Sequence, residues 1–248
     1  MARAFYDLDG TLVDINLVHA TFFFAVNLGA WHSRVAYAAR LLLRLPALFF
    51  AERADRHLLN VELYSLYRGI SRDRLAALGE EYCDRMLVAR LYPQAREILE
   101  GNRRAGLEPV LVSGSPDFVV EAFARRLGIA DFAANRLVFR GQRATGRVHE
   151  PLMAASAKAS WCAEYAARRK IDLANCWAYA DSYYDLPFLA AVGHPVAVNP
   201  DRRLEAVARS RQWPVLRFVR APAARSSLWP QRGAADPAGR ASASGRED

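Results

Sequence analysis

Lysine is almost missing. Of the 34 Lys and Arg residues in this 248-residue chain, lysine occurs only at Lys158 and Lys170. Cysteine is scarce as well. Cys83, Cys162 and Cys176 form no close pair and no metal-ligand spacing, which excludes a disulfide framework and a cysteine zinc site and implies a reduced, cytoplasmic protein. Asp7 and Asp9 stand too early for a signal peptide. Long apolar runs are lacking: Ile15 to Trp31, the most apolar stretch, is interrupted by Asn16, His19 and Asn27, so no membrane span is expected. The five histidines show no metal-ligand spacing, and "VSGSP" around Ser113 is not the Gly-x-Ser-x-Gly of a serine hydrolase. A net charge of +8 favours anionic partners, but no nucleic-acid-binding signature accompanies it, and no nucleic-acid partner is expected.

What is present alternates. The apolar runs at Ala4–Tyr6, Pro109–Val112, Cys176–Ala180 and Pro195–Val198 read as buried strands, with a fifth near Pro214. Helical patterns lie between them. One opens at Pro93 and stops at Gly106, one stops at Gly128, one begins around Ser156, and one is capped by Asn199 with Pro200 as its first residue. This rhythm predicts an α/β fold, a doubly wound parallel sheet with helices on both faces. Residues 15–90 break the rhythm with helical periodicity alone and read as an inserted helical cap. The predicted core is then 1–14 with 91–220. Residues 134–148 read as a hairpin turning at Gly141 and Gln142, and 221–248 as a disordered tail.

In such sheets ligands bind beyond the carboxyl ends of the strands. The residues that follow the apolar runs are Asp7, Ser113 and Asp181, with Asp9 two residues after Asp7 and Asp185 four after Asp181. Asp7, Asp9 and Asp181 would form a carboxylate pocket that needs a cation, and hard oxygen donors with open positions suit Mg²⁺ bridging a phosphate. Gly10 permits the tight turn between them. Lys158, at the start of a helix, is the candidate point charge on the phosphate; a surface lysine is the alternative. The chemistry that follows is attack by Asp7 on phosphorus, with Asp9 as general acid and base.

"DLDGTLVD", "VSGSP", Lys158 and "ADSYYD", in that order and with Asp181 23 positions after Lys158, resemble the four motifs of the haloacid dehalogenase superfamily. An Asp-x-Asp-Gly-Thr match alone would arise by chance in about one chain of this size in a thousand. The helical insertion after the first strand and the hairpin before the lysine resemble the phosphoserine-phosphatase-like branch. The resemblance implies that Asp7 is nucleophile and metal ligand. Asp9 would bind metal through its carbonyl, and Thr11 would assist the phosphate or the loop. Ser113 and the Gly114 N–H would hold phosphoryl oxygens, Lys158 would neutralise them, Asp181 would bind metal, and Asp185 would stand behind the ligands. An acid at Asp9 points to phosphatases or phosphomutases acting on a small phosphorylated substrate; the alternatives are a phosphotransferase or a non-catalytic protein of the same fold. Asn16 and Tyr184 depart from the phosphoserine-phosphatase pattern.

The segment "WHSRVAYAARLLLRLPALFF" forms a basic amphipathic helix, with Arg34, Tyr37, Arg40 and Arg44 on one face. The expectation is an apolar face packed on neighbouring helices with the arginines toward solvent or the site. A membrane-surface contact is the alternative.

Overall fold

A computed structural model of the chain describes residues 2–15, 17–28, 31–54 and 56–220. Strand β1 (Arg3–Tyr6) leads into helices α1 (Leu17–Asn27), α2 (Trp31–Ala54), α3 (Arg56–Ser65) and α4 (Arg72–Tyr82). Then come α5 (Pro93–Arg104), β2 (Glu108–Pro116), α6 (Asp117–Leu127), β3 (Asp131–Asn135) and the hairpin β4 (Leu137–Arg140)–β5 (Arg143–Val148). The chain ends with α7 (Ser156–Arg169), β6 (Trp177–Ala180), α8 (Leu186–Ala190), β7 (His194–Val198), α9 (Arg202–Ser210) and β8 (Val215–Leu216).

Among the described residues the main sheet has six strands in the order β3-β2-β1-β6-β7-β8, every pair parallel. β1 is therefore central although it is first in sequence. Its four residues are buried on both faces, which is why an uninterrupted apolar run marked it. The period of two divides the core. Phe5, Val110, Val112, Ala178 and Ala180 pack on one face with Tyr165 and Phe188, and Tyr6, Leu111 and Tyr179 on the other. Tyr6 stacks on Tyr179 at 4.7 Å, and Asn102 donates to both phenol oxygens, at 2.5 and 2.9 Å.

Two expectations are corrected. β3 went unread, because "DFAAN" begins with an acid, ends with an amide and has only one large apolar side chain. The cap of α9 is Asp201, not Asn199: its carboxylate accepts from the N–H groups of Arg203 and Leu204, at 2.9 and 2.8 Å, and the helix begins at Arg202 rather than Pro200. The predicted tail and Asn16 lie outside the described residues.

The helical segment is stitched to the hairpin by backbone bonds: Gly69 N–H to Ala144 O at 2.8 Å, Ala144 N–H to Ile70 O at 2.9 Å, and Arg72 N–H to Gln142 O at 2.9 Å. Helix α2 bonds to its neighbours through its polar face. Tyr37 is buried and donates to Thr21 O, Arg40 donates to Arg68 O at 2.6 Å, and Arg44 pairs with Glu62 at 2.5 Å, while Arg34, Arg40 and Arg44 all remain exposed. Leu41 and Leu48 are half-buried beside them, but Trp31, Val35, Leu42 and Leu43 face solvent. Among the described residues no helix is long and apolar enough to cross a membrane.

Candidate active site

β1 ends at Tyr6, and Asp7 continues its pairing by donating its N–H to Tyr179 O at 2.9 Å. The chain then turns tightly. Leu12 and Val13 N–H return to Leu8 O at 3.0 and 3.2 Å, and Gly10 N–H reaches Val13 O at 2.9 Å. Gly10 has φ +81°, and a Cβ there would lie 2.3 Å from Asp181 Oδ2. The glycine is needed twice over: for the left-handed backbone and for the approach of a second acid.

The turn and the end of β6 bring three carboxylates together. Asp7, Asp181 and Asp185 each offer an oxygen within 4.8 Å of the others. Their repulsion is partly offset by Lys158, from the first turn of α7. Its Nζ donates to Asp7 Oδ1 at 2.6 Å and to Asp185 Oδ2 at 2.9 Å, and all three side chains are buried. Burial pushes the ammonium down, but the Asp185 and Asp7 carboxylates outweigh it and hold Lys158 above the usual lysine range. Lys158 is thus no surface lysine. Thr11, fully buried, lies with its hydroxyl 3.3 Å from Asp7 Oδ2 and 3.3 Å from Asp181 Oδ1, bridging the two strand ends.

Asp9 stands apart from this cluster. Its Oδ2 accepts from Ser115 Oγ at 2.6 Å and, more weakly, from Ser113 Oγ at 3.4 Å. Ser113 is fully buried, and its own oxygen accepts the Ser115 N–H at 3.0 Å. Gly114 borders the cavity and is fixed from two sides: its carbonyl accepts from Tyr64 OH at 2.7 Å and from Asn135 Nδ2 at 2.8 Å, while Asn135 Oδ1 accepts the Met153 N–H at 2.7 Å. Burial pushes the Tyr64 phenol well above its ordinary range, so it remains a donor. The cavity measures about 360 Å³ and is bordered by Asp7, Asp9, Lys158 and Asp185, with Asn60 and Tyr184 also on its wall.

The structure therefore gathers Asp7, Asp9, Thr11, Ser113, Gly114, Lys158, Asp181 and Asp185 at one end of the sheet. It adds Ser115, Asn60, Tyr64 and Asn135, which sequence reasoning missed. Ser115 lies two residues after Ser113 on the same strand. His149 borders a neighbouring hollow with Asp117 and Arg136 rather than this cavity.

A doubly wound parallel sheet whose central strand ends at acids defines an α/β protein that takes its ligand beyond the strand tips. The chain belongs to the haloacid dehalogenase-like hydrolase family, whose model matches residues 4–190. Within it, the relatives mark the phosphoserine-phosphatase-like branch. A Mycobacterium tuberculosis protein named phosphoserine phosphatase SerB1 is 32% identical over 229 residues, covering 88% of this chain and 71% of the relative. The crystal structure of a Bordetella pertussis protein of unknown function superposes with a TM-score of 0.75 at 26% identity, covering 87% of this chain and 99% of the other. A phosphoserine phosphatase in its apo form shares the fold with a TM-score of 0.63 at 17% identity, covering 88% and 94%.

Proposed function

We propose that the chain is a magnesium-dependent phosphomonoesterase acting on a small phosphorylated substrate through an aspartyl-phosphate. The observation that carries the reading is the buried contact of Lys158 with Asp7 and Asp185 at the strand tips, beside the Asp181 carboxylate. A lysine is taken out of water there only where fixed negative charge surrounds it.

The donor set fits the ion: three carboxylates within 4.8 Å, all hard oxygens. Asp7, Asp181 and the Asp9 carbonyl would hold it, with Asp185 at hand. When bound, the metal polarises a phosphoryl oxygen and draws off developing charge. The chain's own groups do the rest. A carboxylate oxygen of Asp7 attacks phosphorus, the bond to the leaving oxygen breaks, and Asp9 delivers the proton that oxygen needs. Asp9 then takes a proton from water as water attacks the phosphoryl group, which releases phosphate and restores Asp7. Ser115 fixes the Asp9 carboxylate. Ser113 and the Gly114 N–H bind phosphoryl oxygens, and Lys158 neutralises them. Thr11 sets the separation of Asp7 and Asp181.

The domain reading is part of the proposal: residues 1–14 and 91–220 are the catalytic core, and 15–90 a cap that closes over the rim and excludes water. Asn60 on the cavity wall is the cap's contribution to substrate choice. The test is hydrolysis of p-nitrophenyl phosphate with and without Mg²⁺, followed by a panel of phosphorylated metabolites that includes phosphoserine. Asp7→Asn is expected to abolish turnover, and EDTA to suppress it reversibly. Full activity of Asp7→Asn, or activity indifferent to EDTA, would end the reading.

A further inference from the structure

Helices α1 and α2 present large apolar side chains at the surface of the described residues. Trp31, Val35 and Leu42 are spaced by four and seven residues, so they fall on one side of the helix, and Ala38 lies between them. Their exposures are 75%, 58% and 66%, and adjacent Leu43 reaches 81%. From Trp31 to Leu45 this stripe runs about 21 Å at the rise of an α-helix. On α1, Val18, Phe22 and Val26 repeat every four residues and are also exposed. The two stripes meet at an apolar groove of about 460 Å³, which Val18, Phe22 and Leu45 line from the two helices and Leu59 and Leu63 from α3. Scattered exposed leucines are ordinary on a protein surface; a continuous patch of this kind marks an interaction face.

Charge decides what the patch meets. Across residues 17–54 the sequence has Arg34, Arg40, Arg44 and Arg53 against one acid, Glu52. Arg44 is paired with Glu62, but the bond Arg40 makes is to a carbonyl and leaves its charge uncompensated. Beside α2, Arg40, Arg68, Arg74 and Arg143 line a hollow, and of these Arg74 is paired with Glu81 at 3.0 Å. A second copy docking face to face would set this basic segment against itself, because a two-fold interface matches each patch with its own image. An anionic bilayer offers the complement: acyl chains for the stripe and negative headgroups for the arginines.

We infer that α1 and α2 rest on the surface of an anionic membrane, with Trp31, Val35, Leu42 and Leu43 inserted below the headgroups. The helix lies in the interface and does not cross the bilayer. The inference does not depend on the catalytic reading, since no residue of the proposed chemistry takes part.

The experiment is co-sedimentation of the full chain with extruded vesicles of phosphatidylcholine containing about 30% phosphatidylglycerol, and with phosphatidylcholine alone. Binding to the anionic vesicles is expected, at least tenfold weaker when the anionic lipid is left out or when NaCl is raised to about 0.5 M. The double variant L42E/L43E is expected to lose at least tenfold in partitioning while its melting temperature stays that of the wild type, because both side chains already face solvent. Three results would each overturn the inference: no sedimentation with anionic vesicles, undiminished binding by the folded L42E/L43E chain, or a dimer by light scattering that this variant dissociates.

Discussion

Lys158→Met removes one charge from a set of four, of which Asp7, Asp185 and Lys158 are buried and Asp181 half-buried. In the wild type its Nζ is 2.6 Å from Asp7 and 2.9 Å from Asp185, with all three side chains almost inaccessible. Without it, the three neighbouring carboxylates lose the ammonium that lies between Asp7 and Asp185. Breaking a buried ion pair by deleting one partner costs about 3–5 kcal/mol. For a chain of this size each kcal/mol moves the melting point by about 2–4 °C, so a drop of about 6–20 °C is expected in EDTA. The metal dependence should move the opposite way. The more negative cluster should attract Mg²⁺ more strongly, so Mg²⁺ should restore more of the lost melting temperature in Lys158→Met than it adds to the wild type. Activity should nevertheless stay low, because deletion of one stabilising group costs about 10²–10³ in kcat. Calorimetry in EDTA and in Mg²⁺, run beside the aryl phosphatase assay, reads all three effects. An unchanged melting point in EDTA, or a smaller Mg²⁺ response than the wild type's, would refute the electrostatic account.

Other outcomes follow from single contacts. Gly10→Ala forces an L side chain to φ +81° and drives a Cβ to 2.3 Å from Asp181 Oδ2, so it should cost about 1–2 kcal/mol in urea unfolding and weaken Mg²⁺ binding; wild-type metal affinity would show that the close approach does not matter. Ser115→Ala removes the 2.6 Å hydrogen bond that holds Asp9, a bond to a charged group worth about 1.5–3 kcal/mol, and should lower kcat about tenfold or more with little change in KM; an effect on KM alone would move Ser115 from chemistry to binding. Burial pushes the Cys162 thiol up to about 12 from 9.0. The folded state therefore holds this proton where the unfolded chain releases it, so the contribution is complete below pH 9 and is lost as pH rises toward 12, amounting to about 1 kcal/mol at pH 10. Urea midpoints at pH 8 and 10 should converge in Cys162→Ala relative to wild type, and an equal decline in both chains would assign the pH dependence elsewhere.

The strands that carry Asp7, Ser113 and Asp181 were readable because they are buried on both faces and so appear as unbroken apolar runs. The acids after them were readable because an open parallel sheet collects its ligands at that end. β3 escaped because it lies at the sheet edge and mixes alanine with polar residues. Tyr64 and Asn135 escaped for another reason: they reach Gly114 across 50 and 21 residues of chain, and no local pattern records that proximity. Ser115 was missed because β2 departs from regular pairing between Val112 and Pro116, and it is this stretch that brings both serine hydroxyls to Asp9. For α2 the helical spacing put Arg34, Tyr37, Arg40 and Arg44 on one face but recorded neither the burial of Tyr37 nor the exposure of Trp31, Val35, Leu42 and Leu43. The groups that bond to the helix, Thr21 O, Arg68 O and Glu62, lie elsewhere in the chain.

The central place of β1 sets the order in which the molecule can be built. Arg3–Tyr6 are made before both of their hydrogen-bonding neighbours, Glu108–Leu111 on one side and Trp177–Tyr179 on the other. Such remote pairings carry a high loop-closure cost and slow the search. The strand that ends at Asp7 therefore completes its pairing only after Trp177–Tyr179 have been made, and the three carboxylates first meet when β6 docks.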